Sequence, residues 1–146
     1  MDERTASQRV IDDVNRTLAL FVEPKPRLRE ERGLLHDFNG VKIGRLQCAD
    51  EGSLYNGKYT VSKTYELLDL DLDIPRTRTY FERVRSLWLA QGFAVTDEEM
   101  PSEANENGGT IGVRKPDGFG MRISSNTEFI TLISSSPCVW PKGHPE

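Results

Sequence analysis

Cysteine, histidine and tryptophan are each present only twice in these 146 residues, and methionine three times. The two cysteines, Cys48 and Cys138, form no CxxC pair and have no neighbouring histidine, so nothing in their setting suggests a metal or redox pair. They are the even minimum for one disulfide; their spacing alone leaves them joined or free. No apolar run approaches the roughly 20 residues that cross a bilayer. The opening "MDERTASQRV" is charged and polar where an export signal would be apolar.

An excess of positive charge is also missing. Nineteen basic residues stand against 23 acidic ones, for a net charge of −4. The isoelectric point is about 5.3. Surfaces that grip phosphate backbones are usually strongly basic, so a nucleic-acid partner is not expected. The 36% hydrophobic and 29% charged fractions describe a globular chain. Its length suits a single domain with a real core.

Residues 5 to 22, "TASQRVIDDVNRTLALFV", predict an amphipathic helix. Val10, Val14, Leu18 and Phe21 fall on one stripe, and Thr5 with Gln8 has the form of a capping box. Residues 23–47 read as an irregular connection whose charges, Lys25, Arg27, Arg29 and Arg32 among Glu23, Glu30 and Glu31, mark a solvated linker. Within it "VKI" suggests a short strand, with Leu34, Leu35 and Phe38 tucked against the core. "GKYTVSKTYELLDLDLDI" alternates with period two and predicts one long strand kinked near Glu66, its aspartates on the solvent side. "PRTRTYFERVRSLWLAQGF" is the clearest helix: Thr77 or Thr79 caps it, Tyr80, Phe81, Val84, Leu87 and Trp88 are buried, and Gly92 closes it. The strand "FAVTDEE" follows, and then "TIGVRK", "FGMRIS" and "FITLISS" form an antiparallel meander joined by short turns. The fold expected is α+β: a two-layer sandwich in which an N-terminal helix precedes β-α-β and the meander, with the helices on one face of the sheet. Residues 48–141 are its core and 142–146 a mobile tail.

Signals of chemistry are sparse. Asp69, Asp71 and Asp73 open like a calcium loop, but the positions that require glycine and glutamate are Ile74 and Tyr80. His36-Asp37 and His144 lack a second ligand at regular spacing. No nucleophile elbow places a serine. The glycines of "GGTIGVRKPDGFG" lie between strands, not before a helix, so they do not cradle phosphate. Gly118 instead suits the left-handed position of a "KPDG" turn, and Gly120 a close backbone approach. Tyr55 and Tyr59, beside "NGK", suit packing at a sheet edge. No cofactor, metal or catalytic residue is assigned.

At "SSPCVWP" and "DGF", with "NGKYTVSKTYEL" after Cys48 and the helix "RVRSLWLAQGFAVT", residues 48–141 resemble small exported proteins and lipoproteins of actinobacteria; mycobacterial lipoproteins of the LppA type are similar at greater distance. The resemblance implies an α+β domain of no established activity outside the cytoplasm, and it implies that Cys48 and Cys138 are joined. The chain as given lacks the export segment and lipidated cysteine of such proteins, so their presence in the native gene is a supposition. On that basis the chain is expected to be a non-catalytic binding or structural domain of the cell envelope, secreted or held by a lipid anchor, with an envelope protein or polymer as partner. The alternatives are an envelope hydrolase whose site forms only in the fold, and a cytosolic inhibitor or immunity-type protein with free thiols.

Overall fold

The computed structural model describes residues 1–30, 35–50 and 54–141. The expected tail 142–146, His144, Glu31, Arg32 and Leu34 lie outside the described residues, as does the side chain of Tyr55.

The first helix, α1, runs over Glu3–Leu18, not residues 5 to 22. Asp2 is its N-cap and accepts a hydrogen bond from the Thr5 amide at 2.9 Å. The Thr5–Gln8 capping box does not form, because Asp2 already satisfies that first-turn donor. Gln8 donates to Asp12 instead. Phe21 lies beyond the helix yet is 3% exposed, whereas Val22 is an exposed apolar residue.

The supposed linker holds strands β1 (Arg27–Glu30) and β2 (Leu35–Phe38), and β3 (Val41–Asp50) follows. Charge had suggested solvation, but β1 is a fully exposed edge strand whose charges pair across to β4 (Leu54–Leu68). Arg27 reaches Asp69 at 2.9 Å and Arg29 reaches Glu66 at 2.6 Å. β2 and β3 form a hairpin about Asn39 and Gly40, both of positive φ as a tight hairpin turn requires. Leu35 is partly buried, and Phe38 packs against the core.

β4 ends at Leu68, before the aspartates. Asp69 turns left-handed at φ 63°, and Asp73 becomes the N-cap of α2 (Ile74–Ala90), accepting from the Arg76 amide at 2.7 Å. The period-two reading ran too far because a capping aspartate fell in phase with the strand. Neither Thr77 nor Thr79 is the cap; their hydroxyls donate to the carbonyls of Asp73 and Pro75. No kink marks Glu66, which pairs regularly with Arg29 on one side and Thr131 on the other.

β5 (Ala94–Glu99), β6 (Thr110–Arg114), β7 (Gly120–Ser125) and β8 (Ile130–Ser135) pair in succession as the expected meander, with Gly92 and Gly118 both at positive φ. β8 then returns to β4, giving the order β2-β3-β4-β8-β7-β6-β5, with β1 on the C-terminal part of β4. Each of these strand pairings among the described residues is antiparallel.

Alternate residues of one sheet face, Val61 and Leu67 on β4, Ile130 and Leu132 on β8, and Ile111 and Ile123 on β6 and β7, are all fully buried. Both helices cover this face. α2 brings Phe81, Val84 and Trp88 to the larger core cluster, which also takes Val14 of α1. Ala6, Val10 and Ile11 of α1 pack with Ile43, Val61, Phe119 and Val139 in a second. The chain is thus an α+β two-layer sandwich in which α1 spans both clusters.

Candidate functional site

Cys48 and Cys138 form a disulfide with Cα atoms 6.2 Å apart, across 90 positions of sequence. The residues around Cys138 reinforce it. Pro137 lacks an amide hydrogen and breaks the pairing of β8, but pairing resumes two residues on. Val139 and Tyr59 exchange two backbone hydrogen bonds at 2.8 and 2.9 Å, and the carbonyl of Trp140 accepts from the Glu3 amide at 2.8 Å. The segment thereby touches β3, β4 and the start of α1. The Trp140 ring lies against Gly57 of β4, with Lys58 Nζ 5.1 Å above it. It covers strand backbone.

The other sequence candidates are scattered. Asp69, Asp71 and Asp73 serve different groups: Asp69 the Arg27 side chain, Asp71 the Arg76 side chain at 3.7 Å, and Asp73 the Arg76 amide as the α2 cap. Among the described residues no group of three or more His, Cys, Asp or Glu is placed to hold a metal ion. Gly120 has the expected close approach, since a Cβ there would lie 3.2 Å from the Val113 carbonyl oxygen. Tyr59 lies beneath the Arg45 guanidinium, 3.4 Å from ring centre to carbon. Arg45 also makes a two-pronged ion pair with Glu3, which fixes α1 to β3.

His36 and Asp37 lie on β2, at one end of a feature that no linear motif announces. A groove runs between the polar side of α1 and the β2–β3 hairpin. Its larger part encloses about 620 Å³ and draws Arg4, Gln8, Arg9, Asp12, Asp13 and Arg16 from α1, Asn39 from the hairpin and Lys115 from the turn after β6. A smaller depression of about 300 Å³ holds His36 and Asp37 and shares Arg4, Phe38 and Asn39 with the first, so the two are continuous. The only advance sign was the helical stripe opposite the apolar one; the residues facing it come from distant parts of the chain, and only the sheet brings them near.

Electrostatically the larger part is unlike the chain around it. Its four cations, Arg4, Arg9, Arg16 and Lys115, outnumber its two carboxylates, Asp12 and Asp13. Asp13 is 4% exposed. Oδ1 accepts from Arg16 Nη1 at 3.2 Å, while Oδ2 has no hydrogen bond and lies 3.9 Å from Arg9 Nε. Burial pushes the Asp13 carboxyl above its usual value, against the pull of Arg9, Lys115 and Arg16. Arg9 is held from outside the groove as well: Nη1 donates to Asp117 at 2.8 Å and the guanidinium stacks 3.9 Å above Phe119. Burial pulls Asp117 upward, but the hydrogen bonds from Arg9 and the Phe119 amide outweigh it and hold the carboxyl below its usual value. Lys115 Nζ lies 4.7 Å over the Phe93 ring.

Such a groove can hold an anion and hydrogen-bond to neutral polar groups. Ser134 of β8 is fully buried with its hydroxyl unpartnered, and so is not presented as a nucleophile. Among the described residues no helix is long and apolar enough to cross a membrane. Comparison of the chain with family models, with curated proteins and with solved structures finds no match.

Proposed function

We propose that this chain is the folded part of a cell-envelope protein outside the cytoplasm, secreted or lipid-anchored, and that it acts there as a non-catalytic binding module through the groove beside α1. The observation that carries the reading is the disulfide. Bonds that close long loops persist in oxidising compartments, whereas the cytosol of most organisms keeps such thiols reduced. Here the bond joins β3 to a terminal segment that also pairs with β4 and α1. The groove supports a binding role, because Asp13 holds Arg9 and Arg16 at its wall while Arg4 and Lys115 line it without a carboxylate partner among the described residues. The resemblance of residues 48–141 to exported actinobacterial proteins and lipoproteins points the same way.

The test is the native gene, expressed in its source organism and followed by antibody in intact cells. Digestion by added protease without cell lysis, together with recovery in the envelope or culture fluid, is the expected result. Protection from protease until lysis would contradict the reading.

A further inference from the structure

We propose that the groove between α1 and the β2–β3 hairpin binds a small hydroxylated oxyanion, a sugar or polyol that carries a phosphate or a carboxylate. The inference rests on the binding-module reading only in taking this groove as the binding face.

Charge selects the anion. Four cations meet two carboxylates in the larger part of the groove, on a chain whose net charge is −4. Among the described residues neither Arg4 nor Lys115 has a carboxylate within ion-pair distance. Buried Asp13 holds both Arg9 and Arg16, accepting from Arg16 and lying 3.9 Å from Arg9, and so offsets the repulsion between the two guanidinium groups. Asp13 therefore acts as a positioning residue. Its low exposure keeps its own carboxylate from facing an incoming anion, while the guanidinium groups it holds stay at the wall. Arginine presents paired donors that match the oxygens of phosphate and carboxylate.

The rest of the wall selects hydroxyl groups. Thr5, Gln8 and Asn39 offer neutral donors and acceptors, and the half-buried ring of Phe38 offers an apolar patch to the carbon–hydrogen face of a sugar or polyol. About 620 Å³ falls within the range of small-ligand sites, roughly 300–1,000 Å³. A bare inorganic ion would leave most of that space to water.

The test is an amide NMR titration of the isotope-labelled, purified chain at constant ionic strength. Glycerol phosphate and gluconate are the two oxyanion probes; glycerol, sorbitol and chloride are the controls. Saturable shifts confined to α1, the β2–β3 turn and the segment around Lys115, with a Kd of about 1 mM or tighter for at least one probe, are expected. The probe that binds more tightly identifies the oxyanion. Arg4→Ala combined with Lys115→Ala should weaken binding about tenfold or more, as loss of charge-assisted hydrogen bonds does, while Arg83→Ala, remote from the groove, should not. Absence of saturable shifts, shifts centred elsewhere, or equal response to the uncharged polyols would overturn the proposal. Because it is read in purified protein, its failure leaves the compartment test untouched, and the converse also holds.

Discussion

Trp88 Nε1 donates a hydrogen bond of 2.9 Å to Thr17 Oγ1, and both side chains are fully buried. The bond joins α2 to α1 across 71 positions. It lets a large indole enter the core without leaving its one polar atom unpaired. Thr17→Val keeps the shape but strands the indole donor, which costs about 1–3 kcal/mol. For a chain of this length each kcal/mol lowers the melting temperature by roughly 2–4 °C. Calorimetry of Thr17→Val should show that loss, and Trp88→Phe in the same background should add less than it does alone. Full additivity of the two changes would contradict the pairing.

The three alternate aspartates give a second test, because the fold assigns them unequal roles. Asp73→Ala removes the α2 cap and should cost about 1 kcal/mol. Asp69→Asn and Asp71→Asn break only exposed ion pairs and should each cost well under about 1 kcal/mol. Denaturant midpoints decide the order. Equal losses at all three, or stabilisation of the wild type by calcium, would mean that they act together after all.

Acid should act on Asp13 and Asp97 in opposite directions. The folded state raises the Asp13 carboxyl, so its ionised form is a cost, present above the raised value and removed as pH falls through it toward the ordinary 3.8. Wild type should therefore gain stability relative to Asp13→Asn across that window. The hydrogen bond from Arg122 lowers the Asp97 carboxyl, so its contribution is present above 3.8 and lost as pH falls through the lowered folded value. Wild type should lose stability relative to Asp97→Asn there. Urea midpoints measured across the acid range test both signs.

The sequence disclosed α2 and the meander most clearly because their signals are local and agree. Phe81, Val84 and Trp88 keep helical spacing, and Ile130, Leu132 and Ser134 alternate inward on β8. The strands β1 to β3 were obscure for a physical reason. β1 buries none of its four residues, so it carries no apolar alternation at all, and only its pairing with β4, along which Arg29 meets Glu66 and Glu30 meets Lys63, reveals it. β3 is interrupted by a register shift between Gln47 and Ala49, which breaks period two at the cysteine. The groove was less legible still. No local signal singles out Arg4, Arg9 and Arg16, which become one wall of a groove only when the hairpin bearing Phe38 and Asn39 is laid beside them.

The central claim, that the Cys48–Cys138 bond both marks the compartment and holds the terminus, is tested most directly by trapping thiols in living cells. Closing a loop of 90 positions is worth between about 4 and 5 kcal/mol in the chain-entropy model, and removal of a native bond usually costs about 2–5. Rapid alkylation in the source organism, followed by mass spectrometry, should find both cysteines unmodified and joined, and the purified chain should melt roughly ten degrees lower once reduced. Two alkylated thiols in cells, with a melting curve indifferent to reductant, would contradict the account.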